Sequence, residues 1–561
     1  MRTLLAFVLF IISNLVYSQS TYVPLNSNYY QEVDRYEVLN GKISESFHSS
    51  VKPYTRQAVA AFVDTLSKDT TMQRSKADQF NYTYLSNDNW EWSNNAKNDR
   101  NKPLLKVLYK KKSDFYHVNT KDFDLHVNPV LYLQGGYDKS AGSTYLNSRG
   151  IEIRGMIDKK IGFYTFFTDN QAIFPQYVAD YRNTYGVTPG EGFNKSTSNP
   201  RGVDFISARG YINFNVTKHI AVQFGHDRNF IGNGYRSLIL SDFAAPYTFL
   251  KLNLKIWKLN YTNIFAQMSA SGQIPGDIYI PKKYMAFHHL SLNITKNLNI
   301  GIFETEMFGK RGTDSTAQFD INYLNPVIFY RYVESDLGSQ DNAILGMDYK
   351  WNFLKHFSFY GQFVLDEFLI DHVRKGDGFY ANKQAVQVGL KYINAFGVKN
   401  LDLQGEMNII RPYTYSHNDK YTNFANYNQS LAHPMGANLR EFIMIARYQP
   451  LPRISISMKA FYVMQGVDTT GSNGQYNNWG SNILNDYNNR PQDYNNRIGQ
   501  GIRTNLYYGT LSVSYMLFHN FFIDGIVTYR KYDSAVPAMN SNTVISSLAI
   551  RWNIAQRVHE F

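Results

Sequence analysis

Apolar and polar residues alternate with a period of two along most of the chain beyond residue 125. In the segment LREFIMIARYQPLPRISISMKAFYVMQ, residues 439–465, two such runs are separated only by Gln449 to Pro452. The apolar face of the first run consists of Phe442, Met444, Ala446 and Tyr448. Period-two alternation predicts β-strands, and so short a connection predicts an antiparallel hairpin. Because the other face carries Glu441 and Arg447, we expect the apolar face to contact lipid.

About eighteen runs of this kind follow one another along the chain. They cover residues 127–137, 147–157, 161–172, 203–216, 219–228, 248–257, 259–269, 284–295, 297–308, 341–352, 356–367, 382–394, 400–412, 437–448, 453–466, 502–516, 520–531 and 543–554. Their number predicts a large antiparallel barrel.

The connections between the runs are of two kinds that alternate. Short connections lie at residues 158–160, 217–218, 258, 296, 353–355, 395–399, 449–452 and 517–519. Long polar connections lie at residues 173–202, 229–247, 270–283, 309–340, 368–381, 413–436, 467–501 and 532–542. Outer-membrane barrels have short periplasmic turns and long extracellular loops, and an even number of strands places both ends of the barrel in the periplasm.

The remaining features of the chain agree with the bacterial outer membrane. Residues 1–18 contain Arg2, an apolar run and the small residue Ser18, which is typical of a cleaved secretory signal. No later stretch offers about 18 uninterrupted apolar residues, so the sequence predicts no membrane-spanning helix. The predicted fold class is therefore all-β and transmembrane: an antiparallel outer-membrane β-barrel of about eighteen strands, residues 116–561.

Residues 19–115 differ from the rest of the chain. TRQAVAAFVDTLSK, residues 55–68, has helical periodicity after Pro53, a second stretch from Arg74 to Tyr84 is weakly helical, and Asn94 to Lys112 is basic. We expect a small, partly helical periplasmic region that packs against the lower rim of the barrel. The alternative is a plug folded into the lumen.

Charge and composition limit the function further. The net charge is +12, with 57 Lys and Arg against 45 Asp and Glu, so anionic lipopolysaccharide and acidic glycans are possible partners. Nucleic acid is not expected as a partner of an exported protein. The predicted lumen face carries both signs of charge, for example Asp402, Glu406 and Arg551. This favours a salt-bridged, partly occluded lumen over an open one.

The sequence contains no convincing catalytic or metal-binding motif. His288 and His289 are neighbours on a predicted strand, so their side chains point to opposite faces and cannot bind one ion. Glu304 and Glu306 share the predicted lipid face with Ile302, which implies either a bulge or a position above the membrane. Cys is absent. We therefore expect no enzymatic activity, no cofactor and no metal.

One loop segment, FGHDRNFIGNGYRSLILSDFA at residues 224–244, combines polar residues, glycines and an apolar return. We interpret it as a loop folded into the lumen that constricts or plugs it. Its candidate ligand-binding residues are Asp227, Arg228, Asn229, Tyr235 and Arg236.

Two other loops supply further candidates for ligand binding. NYLNPVIFYRYVE, residues 322–334, is interpreted as a second folded-in element and contributes Arg331 and Glu334. NNWGSNILNDYNNRPQDYNNR, residues 477–497, interleaves aromatic rings with planar amides, which suits sugar rings, and contributes Trp479 and Tyr487.

The two segments interpreted as folded in, residues 224–244 and 322–334, together with the hairpin YQPLPRISIS, resemble the capsule-assembly outer-membrane barrels of the Wzi-like family. The resemblance is to the form found in Bacteroidota, which includes a barrel protein associated with gliding motility. It implies an eighteen-stranded barrel with a periplasmic helical element and an occluded lumen, acting as a surface lectin that organises capsular or other exopolysaccharide. Phe561 also resembles the terminal aromatic residue that barrel-assembly machinery recognises.

Three hypotheses of function follow from the sequence. The first is a non-enzymatic outer-membrane barrel whose loops bind surface polysaccharide. The second is a diffusion porin or substrate channel. The third is a structural component of capsule, secretion or gliding machinery, with protein partners docking on Asn94 to Lys112.

Overall fold

The computed structural model describes residues 19–69, 74–272, 279–309, 318–338, 341–470, 474 and 476–561. The expected secretory signal, residues 1–18, lies outside the described residues. The strands of the barrel are β1 Phe123–Asp138, β2 Gly142–Ile157, β3 Ile161–Ile173, β4 Gly202–Asn215, β5 Ile220–Asp227, β6 Tyr247–Ile256, β7 Leu259–Ser269, β8 Lys282–Asn293, β9 Leu298–Phe308, β10 Asn342–Phe353, β11 Phe357–Leu365, β12 Gln384–Tyr392, β13 Leu401–Ile410, β14 Leu439–Leu451, β15 Ile454–Val467, β16 Ile502–Phe518, β17 Phe521–Ser534 and β18 Ser541–Trp552.

These 18 strands form one closed antiparallel barrel. Each strand pairs with the next along the chain, and β18 pairs with β1, where Ile550 lies opposite Leu133. Every predicted run corresponds to one of these strands, with ends that differ by a few residues. The predicted fold class is confirmed.

At one end of the barrel the strands are joined by tight turns. Asp158 and Lys159 have φ values of 52° and 53°, and Leu354 and Lys355 have values of 53° and 56°. Positive φ at both central residues is the geometry that matches the right-handed twist of paired strands. At the opposite end, which we call the loop end, the connections are long except at residues 139–141 and 535–540, where the strands extend beyond the predicted runs.

The two faces of the barrel wall differ as the alternation predicts. On β14, Met444 is 72% exposed on the outer face, whereas Glu441, Ile443 and Ile445 are buried on the lumen face. A closed sheet pairs the backbone N–H and C=O groups of each strand with those of its neighbours. Since its outer face is also apolar, the protein is an outer-membrane β-barrel. Among the described residues, no helix has both the length and the apolarity needed to cross a bilayer.

Helices and short strands accompany the 18 long strands, and two of the short strands, Tyr116–Asn119 and Asn194–Ser196, extend the wall by pairing with β1 and β4. The α-helices are α1 Tyr29–Asn40, α2 Arg56–Ser67, α3 Lys76–Asp88, α4 Gln176–Tyr185, α5 Tyr330–Leu337 and α6 Ile370–Lys375. The 3-10 helices are Ile321–Leu324, Ala395–Gly397, Tyr487–Asn489 and Pro537–Met539. The short strands are Val51–Lys52, Tyr116–Asn119, Asn194–Ser196, Phe230–Ile231, Ala425–Asn426, Gln429–Ser430, Thr469–Thr470 and Tyr476–Asn477.

The helical region before the barrel covers the end with tight turns. In this region, the backbone amides of Gln19 and Ile43 donate hydrogen bonds to carbonyls in two of the turns, those of Lys159 at 2.9 Å and Lys296 at 2.7 Å. One part of it also enters the lumen, where Val51–Lys52 pairs with Phe230–Ile231 of the loop between β5 and β6. The region therefore combines the two arrangements that the sequence left open, a cap on the rim and a plug in the lumen.

Helix α1 was not predicted from the sequence, because its barrel-facing side is charged. Lys350 of β10 lies 2.6 Å from Asp34 and 2.5 Å from Glu37, and Lys391 of β12 lies 2.6 Å from Asp34. Arg35 forms an ion pair with Asp402 of β13. Burial alone would raise the pKa of Asp34, but the two lysines hold this pKa below its usual range.

These ion pairs predict that Lys350 holds the helical region in place. In Lys350→Met, Glu37 loses its cation and Asp34 keeps only Lys391, which should weaken docking by about 3 kcal/mol. We expect faster proteolysis of residues 19–115 in the folded barrel, measured by limited digestion in detergent. In the control Lys531→Met, an exposed pair with Asp533 is lost, and digestion should be unchanged. Equal digestion rates for Lys350→Met and the unmodified protein would contradict the assignment.

Candidate functional site

The loop between β5 and β6, residues 228–246, folds into the lumen, as the sequence predicts. Leu238, Ile239 and Leu240 are buried in a core with lumen-facing side chains of the barrel wall such as Phe249 and Phe287. The hydroxyl of Ser237 accepts hydrogen bonds from the amides of Ile239 and Leu240, at 3.1 and 3.2 Å. The hydroxyl of Ser237 therefore serves as the acceptor for two buried amides that cannot reach water.

A wall carboxylate fixes the tip of this loop. Glu406 of β13 accepts hydrogen bonds from the backbone amides of Tyr235 and Arg236, at 2.6 and 3.0 Å. A Cβ atom on Gly234 would lie 2.6 Å from Oε1 of Gln387 and 2.7 Å from Oε2 of Glu406. A larger residue at position 234 would therefore push Gln387 and Glu406 out of the positions in which they contact the loop.

Arg236 of the loop pairs with a second wall carboxylate. Its guanidinium lies 3.1 Å from Glu441 of β14, which is also 2.8 Å from His433. Burial alone would lower the pKa of Arg236, but Glu441 raises it above its usual value. The charge of Arg236 is thus neutralised inside the protein.

The tail after β18, residues 553–561, turns back into the lumen. Glu560 lies 2.7 Å from Lys459 of β15 and accepts a hydrogen bond from the hydroxyl of Tyr235. Burial raises the pKa of Tyr235 to about 12, so this hydroxyl keeps its proton. Arg557 pairs with Glu191 of the loop after β3 at 3.1 Å. Both the folded-in loop and the tail therefore occupy part of the lumen.

Phe561 lies at the inner end of this tail and not at the lipid-facing end of a strand. Its ring centroid is 4.7 Å from that of Tyr181, 5.8 Å from that of Tyr177 and 6.0 Å from that of Phe243. The last strand ends at Trp552. The position of Phe561 therefore does not match the terminal-strand aromatic that the sequence suggested.

Asp227, Arg228 and Asn229 lie where the folded-in loop leaves the wall. Asp227 accepts a hydrogen bond from the amide of Arg228 at 2.8 Å, and Arg228 donates to the carbonyl of Gly190. Asn229 accepts a hydrogen bond from Lys251 at 3.0 Å. These contacts hold the loop against the wall.

A cavity of about 620 Å³ remains beside the loop, and Arg209, Arg228 and the tail help to line it.

A cluster of aromatic rings with one guanidinium lies at the loop end, on the loops after β11 and β15. We call it the aromatic platform; it consists of Phe379, Tyr380, Tyr487, Arg490 and Tyr494. The rings of Tyr380 and Tyr487 are 5.6 Å apart, and the guanidinium of Arg490 lies 3.7 Å from the centre of the Tyr380 ring. Tyr494 is exposed and the other members are partly exposed.

Backbone hydrogen bonds between the two loops position the aromatic platform. The amide of Tyr380 donates to Asp493 at 2.8 Å, that of Asn495 to Asp377 at 2.7 Å, and that of Asn496 to Gly378 at 2.9 Å. Because these bonds hold the two loops together, the rings are ordered before any ligand arrives. Such pre-organisation reduces the entropy lost on binding.

Trp479 belongs to the base of the same loop and not to the aromatic platform. Its indole nitrogen donates to the hydroxyl of Thr469 at 3.0 Å, and its amide donates to Asp468 at 2.7 Å. Trp479 therefore supports the loop that carries Tyr487. The sequence identified Tyr487, but Phe379, Tyr380, Arg490 and Tyr494 were not selected, because their proximity depends on contacts between two loops.

Arg331 and Glu334 lie on the outer wall of the barrel and are not members of the aromatic platform. They form an ion pair within α5, which packs against β8 and β9 from outside. The two adjacent histidines point to opposite faces, as expected: His289 lies 2.5 Å from Asp348 in the lumen, and His288 lies 2.9 Å from Glu304 on the outer face. In the described part of the chain, no three His, Cys, Asp or Glu side chains are grouped to hold a metal ion.

No family model matches the chain, and no curated protein matches it. Among solved structures, the chain is similar to Wzi of Escherichia coli, described as an outer membrane protein involved in group 1 capsule assembly and a carbohydrate-binding β-barrel. The identity is 13%, the match covers 96% of this chain and 100% of Wzi, and the TM-score is 0.55. At this identity the likeness shows a shared fold.

Two proteins of Pseudomonas aeruginosa are more distant. OccK8 (OprE) is 10% identical, with 76% of this chain and 97% of OccK8 covered and a TM-score of 0.40. OprD is 9% identical, with 76% of this chain and 94% of OprD covered and a TM-score of 0.40. These scores are too low to support an argument about function.

The pairing of Arg236 with Glu441 predicts how the lumen is kept filled. In Arg236→Met, Glu441 loses its guanidinium partner and keeps only its contacts with His433 and Asn408, so the folded-in loop should loosen by about 3 kcal/mol. In planar bilayers we expect more frequent openings and larger current than for the unmodified protein.

The control is the double variant Arg236→Met/Glu441→Met, which replaces both charges with apolar side chains. It should return toward the current of the unmodified protein, since no buried carboxylate is left behind. A current in Arg236→Met that equals that of the unmodified protein would show that this pair does not hold the loop.

Proposed function

We propose that the protein is a non-enzymatic outer-membrane barrel that binds and organises capsular or other surface exopolysaccharide. The observation that supports this most directly is the aromatic platform, an ordered group of rings and one arginine on the loops of a barrel whose lumen is largely filled. The fold that the chain shares with Wzi, itself described as carbohydrate-binding, is consistent with the same role.

The chemistry of the aromatic platform suits sugars. The ammonium of Lys383 lies 4.3 Å from the centre of the Tyr487 ring and occupies one of its faces. The other face of Tyr487 and the ring of Tyr494 provide flat apolar surfaces for the C–H faces of sugar rings, and the tyrosine hydroxyls can bond sugar hydroxyls. The guanidinium of Arg490 pairs with Asp493 at 2.7 Å and donates through Nη1 to the carbonyl of Tyr487 at 3.0 Å. Its Nη2 is the group that could donate to the carboxylate of an acidic sugar. The net charge of +12 would attract such anionic chains from a distance.

The other candidate residues would act indirectly in this proposal. Asp227, Arg228, Asn229, Tyr235 and Arg236 have partners within the lumen, where they would fix the folded-in loop beneath the binding surface. Filling the lumen would give the loops a rigid base and oppose free diffusion. A diffusion porin is therefore the less favoured function.

The proposed topology places residues 19–115 in the periplasm after removal of residues 1–18, with residues 116–561 in contact with lipid and lipopolysaccharide. A role in capsule, secretion or gliding machinery stays as an alternative. One observation favours a periplasmic partner: Leu104, Leu105 and Val107 are exposed beside several lysines in the basic segment 94–112.

The aromatic platform can be tested by binding purified surface polysaccharide to the protein in detergent at low salt. Tyr487→Ala and Tyr494→Ala should each weaken binding about tenfold, or ~1.4 kcal/mol, because each removes one stacking surface. Arg490→Gln should weaken binding of acidic polysaccharide more than of neutral polysaccharide.

Tyr116→Ala is the matched control, since Tyr116 is an exposed tyrosine at the end with tight turns. It should bind polysaccharide as the unmodified protein does. Binding that survives all three platform substitutions would refute this surface. A large, steady single-channel current from the unmodified protein would instead support a porin.

A further inference from the structure

Residues 318–338 lie against the outside of the barrel; we call this segment the outer strap. It contains the 3-10 helix Ile321–Leu324 and α5. Its inner side forms an apolar cluster with outward side chains of β7, β8 and β9, whose buried members are Phe265, Ala286, Phe308, Tyr323, Tyr330 and Val333. The predicted second folded-in element is thus folded, but onto the opposite face of the wall.

Polar contacts fasten the outer strap to the wall. Glu304 of β9 accepts hydrogen bonds from the amides of Tyr330 and Arg331, both at 2.9 Å, and lies 2.9 Å from a ring nitrogen of His288. The rings of Tyr330 and His288 stack with centroids 4.3 Å apart. A carboxylate at the start of α5 satisfies amides that have no partner within the helix and opposes the positive end of the helix dipole.

The outer strap also explains why two glutamates occupy the outer face of β9. Pairing of β9 with both neighbours continues without a bulge, so Glu304 and Glu306 face outward with Ile302. Glu306 is 0% exposed, and neither of its carboxyl oxygens accepts a hydrogen bond among the described residues. Without the strap, both carboxyl groups would face hydrocarbon, where polar groups are costly. The bulge expected as one alternative is absent.

The contact of the outer strap that lies nearest the end with tight turns indicates how deep in the membrane the strap reaches. The hydroxyl of Tyr261 donates to the carbonyl of Pro326. Tyr261 lies near the tight-turn end of β7, a strand of 11 residues, and a tilted strand of about 9–11 residues spans the hydrocarbon layer. Pro326 therefore lies beside a part of the wall that is inside the bilayer, and the second alternative, a position above the membrane, does not fit this contact.

On the side of the strap that points away from the barrel, large apolar side chains are exposed beside polar ones such as Asn322, Asn325 and Arg331. Ile321 is 74% exposed, Val327 79% and Phe329 73%. Exposure of each such side chain to water would forgo about 1.5–3 kcal/mol of burial free energy. They continue the apolar surface of the neighbouring wall, where Ile302 and Leu345 are also exposed.

We propose that the outer strap is immersed in the outer membrane and that its partner is the acyl chains of the lipid. The strap shields Glu304, Glu306 and His288 from hydrocarbon and presents Ile321, Val327 and Phe329 to the lipid in their place. It follows that Arg331 and Glu334, paired on α5, are not part of the polysaccharide-binding surface. This inference is independent of the proposed polysaccharide binding.

The absence of Cys from the chain allows a direct test with single labels. Val327→Cys and Phe329→Cys would each be labelled with an environment-sensitive fluorophore and placed in vesicles containing brominated phospholipid. We expect a loss of fluorescence as large as that at Met444→Cys, an exposed position on the lipid face of β14. Tyr494→Cys on the aromatic platform should be quenched by aqueous iodide instead.

Two results would overturn the proposal. Quenching of the strap labels by iodide and not by brominated lipid would place the strap in water. Protection from both quenchers would show that a protein, such as a second copy of this chain, covers it. Folding of each labelled variant would be checked by its heat-modifiable mobility in gel electrophoresis. If a label at Phe329 disturbs folding, Ser335→Cys, exposed on α5, provides a second labelling position.

Discussion

Inside a bilayer, every backbone amide and carbonyl must find a partner within the protein, and the rest of this structure depends on that constraint. A sheet of 18 strands meets it only by closing on itself. Closure creates a wide interior that is lined by every second residue of each strand, and these residues include many charges. The protein must therefore pair those charges, either with water or with other parts of the chain.

Three segments from different parts of the sequence supply the partners. The helical region brings Asp34 and Glu37 to Lys350, the folded-in loop brings Arg236 to Glu441, and the tail brings Glu560 to Lys459. Each contact joins a wall charge to an opposite charge on an inserted segment. A buried charge without its partner is costly, so each pair opposes withdrawal of the segment that carries it.

The same constraint acts on the outer wall, where apolar side chains are favoured and each polar group needs a partner within the protein. Glu304 faces lipid by its position in β9, but the amides of Tyr330 and Arg331 turn it into a satisfied cap for α5. Above the barrel, where water satisfies backbone groups, the loops are free to carry Tyr487, Arg490 and Tyr494 on the surface that we propose for polysaccharide. Location, more than residue type, decides what each polar group can do.

The sequence by itself determined the barrel, because period-two alternation depends only on neighbours along the chain: Met444 and Glu441 face lipid and lumen as predicted. It also predicted the folded-in loop, where Leu238 to Leu240 needed an apolar environment. Helix α1, the lumen tail and the aromatic platform were decided by the tertiary structure. Their partners, such as Asp402 for Arg35 or Asp493 for Tyr380, are distant in sequence, and no local pattern specifies a contact between distant residues.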